Sequence, residues 1–234
     1  MSQTPQGFEQ RIVRLKADLV EQGRRVQRMF EASVEAVFEQ DRKKATWVCE
    51  NDAVIDRVDV EIERAAVEIL KDIARSIADL DEDQIRWLLT IVKVNNELER
   101  IADEAVKIAE RIESVISLPT ALPDRFRVMA NSVIGVLYDT NRSFERTDTG
   151  LARSVLASDD AVEAFEHAIL RDMQRSVAEG SIDIDFAFAI NMITTAMERV
   201  EDHCTNIAEQ VIYVSTGAIV RHTQGHWTEP EKPS

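Results

Sequence analysis

Carboxylate side chains recur at helical spacing along this sequence. Steps of four, three and four residues connect Asp52, Asp56, Asp59 and Glu63. Residues at such steps lie along one stripe of an α-helix. A later stretch places Glu99 and Asp103 one helical turn apart. If Asp52 and Asp56 face Glu99 and Asp103 from an adjacent helix, the four like charges repel one another unless a cation lies between them. The pattern therefore predicts a metal site.

The same arrangement occurs a second time. Its four members are Asp159, Glu163, Glu198 and Asp202. Hard oxygen ligands suit Mg²⁺, Ca²⁺, Mn²⁺ or oxidised iron. The expected cofactor is thus a divalent or ferric metal ion. The sequence does not distinguish between Fe, Zn, Mg, Mn and Ca. The alternative is a metal-free helical scaffold whose acidic stripes are solvated faces.

Other polar residues adjoin the predicted ligands. His203 and Cys204 follow Asp202 directly, but neighbouring residues of a helix point about 100° apart and cannot all reach one ion. We expect His203 to support the site from outside or to lie on the surface, and Cys204 to fill the core. Arg100 and Arg199 each follow a predicted glutamate ligand. They support the acidic sites by pairing, or they form ordinary surface ion pairs.

The apolar residues that must position these side chains follow a helical period throughout. Six helices are predicted, in two copies of a three-helix unit. Adding 107 to the numbers of Asp41, Ala45, Val48, Asp52 and Ile55 gives Asp148, Ala152, Val155, Asp159 and Val162. Adding 99 to those of Glu99, Arg100, Asp103, Ile108, Ala109 and Glu110 gives Glu198, Arg199, Asp202, Ile207, Ala208 and Glu209. The eight-residue difference belongs in or near the hairpin between the second and third helices.

This duplication predicts an all-α fold of two tandem, homologous three-helix bundles. The first bundle covers residues 8–117 and the second 123–217, with a break marked by Pro119 and Pro123. The polar stretch 223–234 is predicted to be a disordered tail.

Charge and hydropathy exclude several classes of protein. The formal net charge of −15 repels nucleic acid, whose binding depends on Lys and Arg. No apolar run approaches the roughly 20 residues that span a bilayer, so direct membrane insertion is not expected. The first 16 residues lack the apolar core of a signal peptide, and the only two cysteines lack metal-site spacing. We expect a cytoplasmic protein.

Two segments carry a resemblance to a known family. Residues 99–110 read ERIADEAVKIAE, and residues 198–209 read ERVEDHCTNIAE. They resemble the signature helices of the PhoU family. The segments 39–63 and 211–217 are similar to other parts of that family, so the resemblance runs from about Phe8 to His222.

The resemblance implies two packed three-helix bundles, a homodimer and a cytoplasmic location. It implies a negative regulator of phosphate uptake and phosphate-starvation signalling. Its expected partners are the ATPase of a phosphate ABC transporter and a membrane sensor histidine kinase. Some family members carry metal clusters on acid-x-x-x-Asp motifs, which here match Asp52/Asp56, Glu99/Asp103 and Glu198/Asp202. The chain departs from the family pattern at Glu163, where Asp is usual, at Ala102 and Glu201, where Gly is common, and at Glu104, where His is usual.

Catalysis is not expected. The chain has no GxxxxGK element for nucleotide phosphates and no nucleophile with a recognisable partner. The alternative from another class is a carboxylate-bridged di-iron oxidase or ferroxidase of the ferritin-like type. Those bundles use Glu-x-x-His, and no histidine of this sequence has a glutamate three residues before it.

Overall fold

The computed structural model describes residues 5–76, 81–116 and 122–220, and all of its regular structure is helical. The predicted tail at 223–234 lies outside the described residues. The helices are α1 (Pro5–Glu39), α2 (Arg42–Ser76), α3 (Glu82–Glu110), α4 (Ile112–Ile116), α5 (Asp124–Arg146), α6 (Thr149–Leu156), α7 (Asp159–Ala178) and α8 (Ile184–Thr216).

The helix ends follow from capping residues. Asp41 accepts hydrogen bonds from the backbone N–H groups of Lys43 and Lys44, which the start of α2 leaves without helical partners. Asp148 caps α6 and Asp183 caps α8 in the same way. Gly217 ends α8 in a left-handed conformation with φ of 76°, which glycine adopts at low cost.

Six helices were expected, and two of them are interrupted. A single residue, Arg111, separates α3 from the short α4. In the second half, Ala157 and Ser158 separate α6 from α7, whereas the apolar period predicts one continuous helix there. The corresponding α2 of the first half is unbroken. The second copy thus keeps the helix order of the first but breaks its middle helix one residue before Asp159.

The eight-residue difference between the copies lies in helix ends. Ala178 is the last residue of α7, and its counterpart 107 positions earlier is Lys71. Helix α2 nevertheless continues to Ser76. Ile184 is the first residue of α8, and its counterpart 99 positions earlier is Ile85. Helix α3 nevertheless begins at Glu82. The first hairpin is therefore longer by five residues on α2 and by three on α3.

Helices α1, α2 and α3 pack together, as do α5, α6–α7 and α8, and one continuous apolar core joins the two sets. The central contact pairs α3 with α8. Their direction is antiparallel, because Glu97 of α3 meets His203 while Glu104 meets Arg199. Helix α1 also crosses α5 closely, where Asn141 donates a hydrogen bond to the carbonyl oxygen of Gly23.

Candidate functional site

The first acidic stripe lies along the hairpin of α2 and α3. Asn95 of α3 donates from Nδ2 to Oδ1 of Asp59 at 2.6 Å and to the Asp59 backbone carbonyl at 3.0 Å. This contact fixes the register of the two antiparallel helices. One to two turns further along, the pair Asp52 and Asp56 of α2 lies beside the pair Glu99 and Asp103 of α3, as the sequence predicts.

The charges of these four carboxylates act on one another across the hairpin. Partial burial raises the pKa of Asp52, and the negative charges of Asp56 and Asp103 raise that pKa further. Partial burial and then the charges of Asp103, Asp59 and Asp56 also raise the pKa of Glu99, whereas Arg100 opposes the change. The two helices therefore concentrate negative charge along the groove between them, which favours a cation. Asp52, Glu99 and Asp103 are partly buried there, and Asp56 is exposed.

The side chains do not converge on one point. In residues 5–76, 81–116 and 122–220, no three Asp, Glu, His or Cys side chains stand close enough to share an ion. The backbone gathers the predicted ligands, and ligation would require rotation of their side chains. Carboxylates on helix stripes can make such rotations without moving the helix axis.

The second stripe has the same backbone positions in different surroundings. Glu166 accepts a hydrogen bond from Thr195 of α8 at 2.8 Å, where the first half pairs Asp59 with Asn95. Glu163 and Asp202 are exposed, and Glu198 is half-buried. Asp159 begins α7, directly after the break. The predicted Asp159 and Glu163 thus stand at a helix start, whereas Asp52 and Asp56 stand inside a continuous helix.

The predicted supporting residues connect the two halves. The ring Nδ1 of His203 lies 2.7 Å from Oε2 of Glu97, which also accepts a hydrogen bond from Asn206. Arg199 lies 3.7 Å from Oε1 of the buried Glu104, and Lys107 lies 2.8 Å from the same atom. Arg100 is exposed. Glu97, which sequence reasoning missed, carries no local signal because its partners lie on α8.

The chain matches known proteins along most of its length. The PhoU domain, as a family model, matches it twice, over residues 19–112 and 126–211. The chain belongs to the PhoU family. A relative, the phosphate-specific transport system accessory protein PhoU homolog 1 of Thermotoga maritima, is 32% identical over 212 residues, which cover 90% of this chain and 89% of the relative.

Further PhoU proteins agree with this assignment. The PhoU homolog of Aquifex aeolicus is 31% identical over 88% of this chain and 92% of its own length. The crystal structure of PhoU from Pseudomonas aeruginosa has a TM-score of 0.83 and 28% identity, over 90% of this chain and 100% of that chain. The predicted all-α fold of two tandem copies is confirmed, and nothing in the PhoU comparisons supports the ferritin-like oxidase alternative.

One departure from the PhoU pattern is structural. Ala102 and Glu201 occupy matching positions in α3 and α8, and both are fully buried. Glu201 accepts a hydrogen bond from Oγ of Ser158, at the break between α6 and α7. A buried carboxylate needs such partners. The first half needs no such hydrogen-bond partner, because Ala102 places only a methyl group at the corresponding position.

The cysteines have different surroundings. Cys204 is fully buried, which confirms its expected place in the core, and burial strongly raises the pKa of its thiol. Cys49 is exposed on α2. Among the described residues, no helix is both long enough and apolar enough to cross a bilayer.

Proposed function

We propose that this protein is an accessory regulator of phosphate transport that restrains phosphate uptake and phosphate-starvation signalling. One observation carries the proposal: both halves match the PhoU domain, and relatives that align over most of the chain are named phosphate-specific transport system accessory proteins. The alignment covers about nine-tenths of both proteins, which supports a shared architecture.

The proposed regulator acts through protein contacts in the cytoplasm, as a homodimer and without catalysis. Its partners are the ATPase of a phosphate ABC transporter and a sensor histidine kinase. A long helical surface with a net charge of −15 supports contact with basic protein surfaces rather than with nucleic acid.

Cations at the acidic stripes belong to the same proposal. Asp52, Asp56, Glu99 and Asp103 would hold the ion of the first half. Burial, and after it the mutual repulsion of these carboxylates, raises the pKa of Asp52 and of Glu99, which supports this assignment. A bound ion would offset part of the negative charge of these carboxylates and fix the α2–α3 hairpin. Asp159, Glu163, Glu198 and Asp202 would do the same in the second half.

The regulatory role is tested by phosphate uptake in cells. Deletion of the gene should raise the rate of labelled phosphate uptake under phosphate-replete conditions, and the wild-type gene on a plasmid should restore it. The purified protein should also retain the transporter ATPase or the kinase in a pull-down. Unchanged uptake after deletion would contradict the proposal.

Metal binding is tested separately. The protein, purified without chelator, is offered Mg²⁺, Mn²⁺, Zn²⁺ and iron, and its metal content and melting temperature are measured. Ligation should raise the melting temperature with the logarithm of free metal concentration. If no ion is held and none stabilises the protein, the stripes are solvated faces.

A further inference from the structure

The acidic stripe on the α2–α3 hairpin continues into apolar side chains. On α3, steps of four, three, four, three and four residues connect Ile85, Leu89, Val92, Asn96, Glu99 and Asp103. On α2, the stripe from Asp52 to Glu63 continues at the same steps to Val67 and Leu70. The outer face of the hairpin therefore changes from acidic to apolar towards the connection between its helices.

These apolar side chains are exposed. Six large hydrophobic residues of the hairpin are exposed: Val60, Val67, Leu70, Ile85, Leu89 and Val92. The contact of Asn95 with Asp59 fixes the register, so that Leu89 of α3 lies opposite the turn of α2 around Val67. The six residues thus form one surface, which we call the apolar end of the groove. The carboxylates from Asp52 to Glu63, with Glu99 and Asp103, form its acidic end.

The second half repeats two of the six apolar positions. Ile184 and Phe188 lie 99 residues after Ile85 and Leu89, and they are 67% and 63% exposed. An exposed apolar pair that recurs at identical register in both copies is not explained by burial, since each of the four side chains is at least 43% exposed. Single exposed apolar residues are normal on a protein surface. A repeated pair beside an acidic stripe indicates a docking surface.

We propose that the groove between α2 and α3 binds an amphipathic helix of a partner protein, with apolar residues at one end of its contact face and Lys or Arg at the other. The stripe from Ile85 to Asp103 spans about 27 Å of helix, or five turns. In helix-in-groove recognition the bound helix carries apolar anchors at i, i+3, i+4 and i+7, and the exposed apolar side chains of α2 and α3 would contact those anchors. The proposal deepens the proposed function, because it names the surface that would hold a partner.

Charge selects the occupant. A second copy of this chain would bring its own acidic stripe and a charge of −15 against the same surface, and the like charges would repel. A basic helix end is attracted to the acidic end and is desolvated less there than in an apolar groove. The apolar end then supplies the buried area, and the acidic end supplies orientation.

The probe is a labelled 19-residue helical peptide that carries Leu at its first three stripe positions and Lys at its last three, together with the same peptide in reversed order. The control peptide has the same composition with Leu and Lys mixed along the stripe. Fluorescence anisotropy should show saturable binding of one segregated peptide, about tenfold tighter than the mixed peptide and weaker at high salt.

Variants of the full-length protein locate the contact. Leu89→Asp and Val67→Asp change exposed residues on α3 and α2 of the apolar end, and they should each weaken binding, about tenfold when combined. Val128→Asp is the matched control, since Val128 is on α5 and is 48% exposed, like Leu89. Glu63→Gln should reduce the salt dependence of binding more than its affinity at low salt.

Three results would overturn the proposal: no saturable binding, equal binding of segregated and mixed peptides, or an equal loss with Val128→Asp. A dimer that sedimentation shows to dissociate in Leu89→Asp would assign the groove to a second copy instead, which also overturns it. Failure of the proposed function is seen separately, because the deletion assay of phosphate uptake does not depend on the peptide. Full restoration of regulated uptake by the doubly substituted gene would leave the function standing and reject this surface.

Discussion

The two halves of this protein carry the same acidic positions on the same helices, yet their surroundings differ. In the first half, Asp52 lies inside a continuous helix, and Ala102 beneath the stripe is a buried methyl group. In the second half, the helix breaks before Asp159, and a buried carboxylate, Glu201, lies at the position of Ala102. Duplication has preserved the backbone spacing of the site while its electrostatic environment has changed.

This comparison teaches that register alone does not define a cation site. Asp59 and Glu166 occupy matching positions and each is tied to the facing helix, by Asn95 and by Thr195. The two contacts thus start from the same position of the middle helix, but Thr195 lies one residue after the counterpart of Asn95, which is Thr194. The halves differ in the residue buried beneath the stripe, Ala102 or Glu201, and in the helix break before Asp159. Substitutions at these places should therefore affect the two halves differently.

The largest effect should come from exchanging the buried residue. Ala102→Glu would place a buried carboxylate in the first half and would overpack the core. Ser158, the hydrogen-bond donor to Glu201 in the second half, is replaced there by Asn51. We expect a loss of about 3 kcal/mol or more in the free energy of unfolding, measured with urea. Glu201→Gln keeps the volume and an acceptor oxygen, and should cost about 1 kcal/mol. A wild-type stability for Ala102→Glu would show that the two halves tolerate charge equally.

Next in size is the loss of metal-dependent stabilisation. Glu99→Gln combined with Asp103→Asn should remove most of it, about 2.7 kcal/mol at a metal concentration 100 times the dissociation constant. Glu198→Gln combined with Asp202→Asn should remove less, because Glu163 and the helix start at Asp159 alter the second site. Metal content and melting temperature are the measurements. Equal losses in the two double variants would mean that the break before Asp159 does not matter.

A smaller effect is expected where α1 crosses α5. The residue 107 after Gly23 is Ala130, so only the first copy has glycine there. A Cβ at Gly23 would lie 2.6 Å from Oδ1 of Asn141, whose amide bonds to the Gly23 carbonyl and to Gln27. Gly23→Ala gains about 1 kcal/mol in helix propensity but disturbs two hydrogen bonds of about 1 kcal/mol each.

Gly23→Ala should therefore lower the free energy of unfolding by about 1 kcal/mol, measured with urea. The control is the same substitution in an Asn141→Ala background, where it should stabilise by about 1 kcal/mol. Stabilisation in both backgrounds would show that Asn141 moves aside freely.

The smallest effect concerns pH. The pKa of Asp52 is raised in the folded protein, so the folded state binds this proton more tightly than the unfolded state. The resulting stabilisation is full below the ordinary Asp pKa and is lost as pH rises through the raised pKa. In metal-free protein at pH 7, Asp52→Asn should thus stabilise by a few tenths of a kcal/mol, and at pH 3 it should have no effect.

Glu163→Gln, at an exposed position of the second half, is the control and, in the same metal-free protein at pH 7, should change stability less than Asp52→Asn. With a bound cation the sign for Asp52→Asn reverses, because a ligand is lost. Urea unfolding with and without chelator distinguishes the two conditions. Destabilisation by Asp52→Asn in chelator would indicate that repulsion within the first stripe is already relieved.

Much of the fold could be predicted because its signals are local. Apolar period, the offsets of 107 and 99 residues, and the caps Asp41, Asp148 and Asp183 all lie within a few residues of the structure they specify. The break at Ala157 and Ser158 could not be predicted, since neither residue is a helix breaker and the nearby buried partner, Glu201, is 43 residues away.

The candidate site divides in the same way. The stripes and their pairing across a hairpin follow from helical spacing and a short connection. The position of His203 against Glu97 does not, because it depends on how α8 lies against α3, 106 residues earlier in the chain. Long-range register of this kind has no signature in a single sequence.

The antiparallel pairing of α3 with α8 has a consequence for synthesis. Residues of α3 such as Glu97 and Glu104 reach their partners only when the last helix of the chain is available. At about 5–20 residues per second, α8 follows α3 from the ribosome by roughly 5–20 s. During that interval the inner side of α3 has no native cover, and α1 and α2 alone must keep the nascent first half from aggregating. The final closure then joins both halves in one late, long-range step, which favours slow folding for an all-helical protein.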